Sequence, residues 1–507
     1  MRSPFDRIAR ARQICLSLLA LAAVASAPPA GAQRLDALAP DVRKYLKAST
    51  STVILEHVEI IDGTGAAPNA DRNIVIEGGR IGAITPGADV SPRDGATIID
   101  LRGHSVMPGI VGMHDHMFYM ARPNLSADYS FDSPAVFLEM SFSAPRLYLA
   151  NGVTTARTAG SANPYTDLRL AEAIDAGRVP GPHLDVTGPY LEGAGDNPNL
   201  QMRKLTGPDD ARETVAYWAD RGVTSFKAYQ HITRDELRAA VAEAHKRGLK
   251  VTGHLCSVTY EEAAEAGIDN IEHGFQANTA LDPDKKPDAC SASGGDSTLA
   301  RMSPGGPEVS RLIAELVRRH VAITSTLPLR AATVQRLAGP PDGQPVVQLA
   351  VLEAMAPSVR DAYLAWSIRP GSAEAAKRQD AMLRRDMELQ RAFVDAGGLL
   401  LAGPDPVGIG GVIPGFGDQR EIELLVDAGF SAVQAIRIAT LNGATFLGRQ
   451  NRIGTIAVGK NADLVVMKGD PAARISDIEN VEIVFKDGVA YDTRKLLDSV
   501  RGRYGKY

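Results

Sequence analysis

Met107-Pro-Gly-Ile-Val-Gly-Met-His-Asp-His116 is an apolar, strand-like run that stops at two histidines one residue apart. In a strand, residues i and i+2 point to the same side. His114 and His116 can therefore reach one metal ion from the end of a strand. A His-x-His pair alone is a weak signal. Its weight here comes from four more residues of ligand type that follow at intervals fitting a barrel.

On the C-terminal side, strand and helix alternate. Short apolar segments lie near Ile110, Val153, Leu184, Phe226, Val251, Ile271, Ile323 and Leu400. Between them stand helix signals: Thr233 with Glu236 and Thr259 with Glu262 read as capping boxes, closed by Gly248 and Gly267. Eight strands alternating with helices predict an α/β fold, a (β/α)8 TIM barrel over 108–445. Two stretches break the rhythm, near 276–307 (rich in Gly, Ser, Pro and Asp) and 327–370, and both are expected over the barrel's C-terminal face. Segments of that length serve as lids, binding loops, oligomer contacts or filler.

The two ends of the chain read differently. Val53-Ile54-Leu55, Asn73 to Ile81, Thr97 to Leu101, Ala462 to Met467 and Val481 to Tyr491 are short strands, with Asp487-Gly488 as a tight hairpin turn. Segments 33–107 and 446–507 are thus expected to build one small β-sandwich domain together.

The polar residues fall at the barrel strands' ends. His114 and His116 close strand 1, Lys227 lies in strand 4, His254 closes strand 5, His273 closes strand 6 and Asp405 closes strand 8. Strand C-termini converge on one mouth, where barrel active sites sit. Imidazoles and carboxylates bind borderline divalent ions such as zinc, and two such ions can share a hydroxide.

With these residues in place the chain resembles the amidohydrolase superfamily, nearest to its imidazolonepropionase-like and Xaa-Pro dipeptidase-like group. The late Gly454-Thr-Ile-Ala-Val-Gly-Lys-Asn-Ala-Asp-Leu464 stretch belongs to the resemblance, which spans nearly all of the chain after residue 32. It implies two divalent ions, zinc foremost. His114, His116 and Asp405 would hold the more buried one, His254 and His273 the more exposed one. Lys227, carboxylated by carbon dioxide to N6-carboxylysine, would bridge them. It further implies attack by a metal-bridging hydroxide on an amide of a dipeptide or N-acyl amino acid, with Asp405 as the catalytic proton shuttle. One position departs from the pattern: Gly112 stands where such proteins commonly carry Asp, which puts the support around strand 1 in doubt.

Substrate groups are read from position. Tyr229 and His231 follow Lys227 and are expected to face the mouth, with packing as their competing role. His183 and Tyr190, around strand 3, are further candidates. Arg157, ending strand 2, pairs with a substrate carboxylate or forms a structural ion pair. His104, His245 and His320 read as structural. The same ligands also serve an esterase, a lactonase or an organophosphate hydrolase. A mononuclear deaminase of a cyclic amidine and a non-catalytic binding protein are compatible with the same residues.

Composition bounds the rest. Arg2, Arg7, Arg10 and Arg12 precede an apolar run from Ile14 to Ala27, and Ala30-Gly31-Ala32 fits a cleavage site. Residues 1–32 are expected to be a signal peptide, the run being shorter than the ~20 residues of a membrane span, and the protein to be periplasmic or secreted. The formal charge of −5 becomes about −8 without that segment, which excludes nucleic acid as a natural partner. A small-molecule substrate is expected, no membrane contact once the signal is removed, and self-association is left open. Cys256 and Cys290 either pair or stay separate thiols.

Overall fold

The computed structural model describes residues 35–89, 93–122, 135–195, 197, 199, 201–339, 348–367 and 371–506. The signal segment lies outside the described residues, as do 340–347 and 368–370 of the second insertion. Five strands come first: β1 (Thr52–Ile60), β2 (Asn69–Glu77), β3 (Arg80–Pro86), β4 (Thr97–Asp100) and β5 (His104–Pro108). β6 (Ile110–Asp115) then enters the barrel, followed by an antiparallel pair, β7 (Phe118–Ala121) and β8 (Val136–Glu139). The other barrel strands are β9 (Val153–Thr158), β10 (His183–Leu191), β11 (Ser225–Ala228), β12 (Lys250–Gly253), β13 (Asn270–Glu272), β14 (Ala322–Ser325) and β15 (Leu400–Ala402). The chain ends with β16 (Leu464–Lys468), β17 (Val481–Lys486) and β18 (Val489–Asp492).

Barrel order is β6-β9-β10-β11-β12-β13-β14-β15, every neighbouring pair parallel. These are the eight segments expected from the sequence. The two ends meet at the mouth, where the Asp405 N–H donates to the His114 carbonyl at 3.0 Å. Gly403 permits that approach: a Cβ there would fall 2.2 Å from the His114 nitrogen. Both expected capping boxes form, at Thr233/Glu236 and Thr259/Glu262.

The termini build one mixed sheet, β18-β17-β16-β5-β1-β2-β3, with β4 beside β1. β5 and β16 run antiparallel from His104/Lys468 to Pro108/Leu464, which joins the two ends of the chain. Alternation sorts their side chains. Val53, Leu55, Ile74, Ile76, Leu464, Val466, Ile483 and Phe485 share one buried cluster within the sheet. Val465, Met467 and Val484, one residue out of phase, join the larger core of the barrel.

The insertions are more structured than their composition suggests. In the first, the buried Asp282 carboxylate accepts from the hydroxyls of Ser291, Ser293 and Thr298 and from the N–H groups of Gly295 and Thr298. One carboxylate thus organises a stretch with no helical period. The second contains helices Leu327–Ala338, Leu349–Ala354 and Pro357–Ser367, where a long loop was expected. Arg330 ties the two together through Gln276 at 2.9 Å and Asp296 at 3.1 Å. Cys256 and Cys290 form a disulfide that anchors the first insertion just beyond β12. No helix among the described residues is long and apolar enough to cross a membrane.

Candidate metal centre

The six ligand-type residues converge at the C-terminal ends of the barrel strands. His114, His116, Lys227 and His273 are buried, while Asp405 and His254 keep some exposure and so form the open side. Lys227 Nζ lies 2.9 Å from His114 Nε2, and Asp405 Oδ1 lies 3.0 Å from His116 Nε2 and 3.6 Å from His114 Nε2. The rings of His254 and His273 stand 4.2 Å apart, those of His114 and His273 4.7 Å. Donor atoms of His114, His273 and Asp405 all fall within 4.8 Å of one another.

Two of these residues reach the centre by a local device. His273 has φ 69° and Asp405 φ 56°, both in the left-handed region. Such conformations cost about 1–3 kcal/mol and persist where the surroundings enforce them. Here each turns a side chain inward just past the end of a short strand.

The neighbours orient the donors. His114 Nδ1 meets Glu272 Oε2 at 2.8 Å, which leaves Nε2 for the centre. His273 Nδ1 meets Thr326 Oγ1 at 2.9 Å, and its Nε2 is buried with no hydrogen-bond partner. A buried, unpartnered imidazole nitrogen facing two other donors is what a metal ion would satisfy. Tyr148 braces the backbone of His116, its hydroxyl accepting from the N–H at 3.0 Å and donating to the carbonyl at 2.9 Å.

Electrostatics point the same way. Burial and the nearby Lys227 charge lower the pKa of His114 and His254, the latter to about 3. Burial takes His116 down to about 4, and burial with His254 takes His273 well below its ordinary value. Neutral imidazoles are the ligating form. Burial pushes Lys227 down to about 8, so a neutral amine is accessible there. Burial would raise Asp405, but His114, His116 and His273 hold it well below the usual carboxylate range. The donor set therefore fits divalent cations.

Gly112 finds its explanation in Asp115. A Cβ at Gly112 would fall 2.0 Å from Asp115 Oδ2 and 2.9 Å from Asp418 Oδ1. The carboxyl of Asp115 folds back into the room a larger residue at 112 would need. Burial and Asp418 push Asp115 up, and burial pushes Asp418 up to about 7, so the pair keeps a proton near neutrality.

Of the substrate candidates, Tyr190 and Tyr229 reach the mouth. Tyr190 pairs in register with Lys227, whose Nζ lies 5.8 Å from its ring centroid. Tyr229 stands edge-on to Tyr190 at 5.0 Å and to His254 at 5.1 Å. With Phe118 stacked on His116 at 4.6 Å and Phe137 between Phe118 and Tyr190, an aromatic arc runs from His116 round to His254. His231 turns to Glu192, with Nδ1 3.4 Å from Oε1, on the rim where β10 and β11 end.

Two candidates are placed elsewhere. Arg157 is buried inside the barrel beneath the centre, donating to Glu272 Oε1 at 2.6 Å, Asn270 Oδ1 at 2.9 Å and the Met113 carbonyl at 2.7 Å. It forms the structural ion pair. His183 starts β10, at the opposite end of the barrel, where it bridges Asp175 at 2.9 Å and Asp487 at 2.8 Å. Glu272, Thr326 and Gln230, whose amide lies 3.1 Å from His254 Nε2, were not picked out from sequence. Only Glu272, an acid in a three-residue strand directly before His273, carried a signal there.

The model of the Amidohydrolase family matches residues 105–292 and 395–490, more than half of the chain. Among solved structures, a prolidase candidate from Bifidobacterium longum is 24% identical, with TM-score 0.61, covering 89% of this chain and 99% of its own. A Xaa-Pro dipeptidase with bound methionine in its active site is 21% identical, TM-score 0.62, covering 87% and 100%. The bottromycin amidohydrolase is 22% identical, TM-score 0.62, covering 94% of each chain. At these identities the likeness is one of fold. No curated protein sequence matches the chain.

Proposed function

Because the chain belongs to the amidohydrolase family and is a hydrolase acting on carbon–nitrogen bonds, we propose that it is an exported binuclear enzyme that cleaves the amide of a dipeptide or N-acyl amino acid. The observation that carries this reading is the convergence of four neutral imidazoles, a buried lysine and one carboxylate in a single mouth. His114, His116 and Asp405 are suited to hold one divalent ion, zinc by preference, and His254 and His273 the second. Lys227, carboxylated, would supply an anionic oxygen to both. Bound there, the ions supply a water-derived nucleophile at neutral pH and polarise the scissile carbonyl.

The protein's own groups account for the remainder. Asp405 stays ionised at neutral pH and lies on the open side, so it can take a proton from the attacking water and return it to the departing amine. Glu272 fixes the tautomer of His114. The aromatic arc walls one side and keeps bulk water from the reacting amide. A Xaa-Pro dipeptidase of similar fold has methionine bound in its active site, which suits an amino-acid product here. The disulfide and the basic-then-apolar leader suit an oxidising compartment outside the cytoplasm.

The test is a hydrolysis panel with metal-loaded protein lacking residues 1–32: dipeptides, N-acyl amino acids, lactones and a cyclic amidine, with metal content counted. Amide turnover with two ions per chain is expected. Turnover of lactones alone, or deamination with one ion, would overturn the amide assignment. An uncleaved leader in exported material would overturn the processing.

A further inference from the structure

Tyr148, Tyr260 and Tyr504 are fully enclosed. A phenol costs more to enclose than a phenylalanine ring of nearly the same shape, because its hydroxyl leaves water. Packing alone would therefore favour phenylalanine at these positions. What the tyrosines add is one hydrogen bond each, and all three bonds end on the backbone of the candidate metal centre. Tyr148 donates to the His116 carbonyl at 2.9 Å. Tyr260 donates to the carbonyl of Gly274, the residue after His273, at 2.9 Å. Tyr504 donates to the carbonyl of Pro406, the residue after Asp405, at 3.3 Å.

The three come from separate parts of the fold. Tyr148 lies in helix Ser143–Ala150, and Tyr260 opens helix Tyr260–Ala266. Tyr504 lies beyond helix Thr493–Val500, in a segment tied to the second insertion. Its N–H donates to the Ala354 carbonyl at 2.9 Å, and its carbonyl accepts from Ala356 at 2.8 Å. Gly408 closes on it from the Asp405 side: a Cβ there would fall 3.4 Å from the Tyr504 hydroxyl.

Tyr260 and Tyr504 serve the two ligands whose backbone is left-handed. His273 has φ 69° and Asp405 φ 56°, and such conformations persist where the surroundings enforce them. The barrel strands hold each turn by one backbone bond. The Gly274 N–H donates to the Thr324 carbonyl at 2.9 Å, and the Asp405 N–H to the His114 carbonyl at 3.0 Å. The tyrosine grips the same turn from outside the barrel sheet, at the carbonyl just past the ligand.

Resting on the metal-centre reading above, we propose that Tyr260 and Tyr504 are positioning residues. Each fixes the turn that aims one left-handed ligand, His273 or Asp405, at the centre before an ion arrives. Both act through the backbone, and neither is a catalytic residue. Their effects are separable, because His273 would hold the more exposed ion and Asp405 the more buried one.

The experiment compares wild type with Tyr260→Phe and Tyr504→Phe, which keep the ring and lose the hydroxyl. Amide hydrogen exchange is read in the purified protein before zinc is added. Tyr260→Phe speeds exchange about 5- to 30-fold over 274–276 and leaves 405–408 as in wild type, and Tyr504→Phe does the reverse. Zinc titrated by calorimetry then binds about 10-fold more weakly at one of two sites in each variant. Installing 4-aminophenylalanine at the same position restores a donor, and with it the exchange of wild type. Exchange unchanged in both variants, or faster throughout the barrel in either, overturns the assignment. A Phe variant that fails to fold supports the brace if the amino-substituted protein folds and exchanges like wild type, and failure of both overturns it. If wild type takes up no zinc, the metal-centre reading falls, and the reciprocal exchange pattern still decides the two braces.

Discussion

The two ends of the barrel use histidine in opposite ways. At the mouth, His114, His116, His254 and His273 are driven toward the neutral form by burial and by the Lys227 charge or one another. At the other end, His183 is also largely enclosed, and burial and Lys486 again favour the neutral ring. There the paired carboxylates of Asp175 and Asp487 outweigh them and raise its pKa. Burial alone therefore does not decide what a histidine is for. The ratio of carboxylates to rings does: at the mouth Asp405 and Glu272 are shared among four rings, whereas at the base Asp175 and Asp487 serve a single ring. Short of counter-charge, the mouth histidines keep their lone pairs for metal ions; His183 holds its proton to higher pH than a free imidazole and fastens the barrel to the β17–β18 turn.

The largest effect is expected from removing the one anion on the open side of the mouth. Asp405→Asn keeps shape and hydrogen-bonding capacity but cannot carry a proton. A loss of about 10²- to 10⁴-fold in kcat is expected, with the melting temperature near that of wild type. Steady-state kinetics beside thermal unfolding checks it, and turnover within a few-fold of wild type would remove Asp405 from proton transfer.

Next comes the counter-charge beneath the mouth. Arg157→Met strips Glu272 of its buried partner, and the Asn270 side-chain oxygen and the Met113 carbonyl of their donor. Breaking one side of a buried pair costs about 3–5 kcal/mol, because the remaining charge stays buried. Glu272, no longer held low, would take up a proton and loosen its grip on His114 Nδ1. Chemical denaturation measures the first consequence and bound metal per chain the second. A variant as stable as wild type would mean that Glu272 finds another donor in the barrel.

That network also shows where the sequence could be read and where it could not. The eight strands were legible because each is a short apolar or β-branched run between helix signals, and the ligands because polar residues interrupt those runs at their ends. Strand alternation places His114 and His116 on one side correctly. It fails at His273 and Asp405, whose left-handed backbones break the period of two, so their convergence rested on position at strand ends. His183 was misplaced, and the choice between the two roles of Arg157 was left open, for a related reason. A polar residue on a barrel strand looks the same in sequence whether it points into the interior, at the mouth or at the base. Asn270, Glu272 and Thr252 form the polar interior that captures Arg157, and only the assembled barrel brings them together. The compact order of the first insertion hangs on Asp282, whose partners lie 9 to 16 residues away. No local pattern announces that.

The smallest expected effect tests the base and is read as a change in slope. His183 has a folded pKa raised above the ordinary value near 6.5, so its contribution is fully present below about pH 6.5 and is lost as pH rises through the folded value. Asp487 runs the other way: the neighbouring Lys486 and His183 hold it low against the cost of burial, so its contribution is present above about pH 4 and is lost only as pH falls through its depressed folded value. The bridge is therefore strongest between about pH 4 and 6.5. His183→Asn removes the charge while keeping a polar side chain, so unfolding free energies measured from pH 6 to 9 should lose the decline that wild type shows over that range. The mouth histidines, neutral when folded, contribute the opposite slope in wild type and variant alike, so the difference between the two proteins isolates the base. An identical pH slope in both would place the protonated bridge, and with it the contrast between the two ends, outside what stabilises this fold.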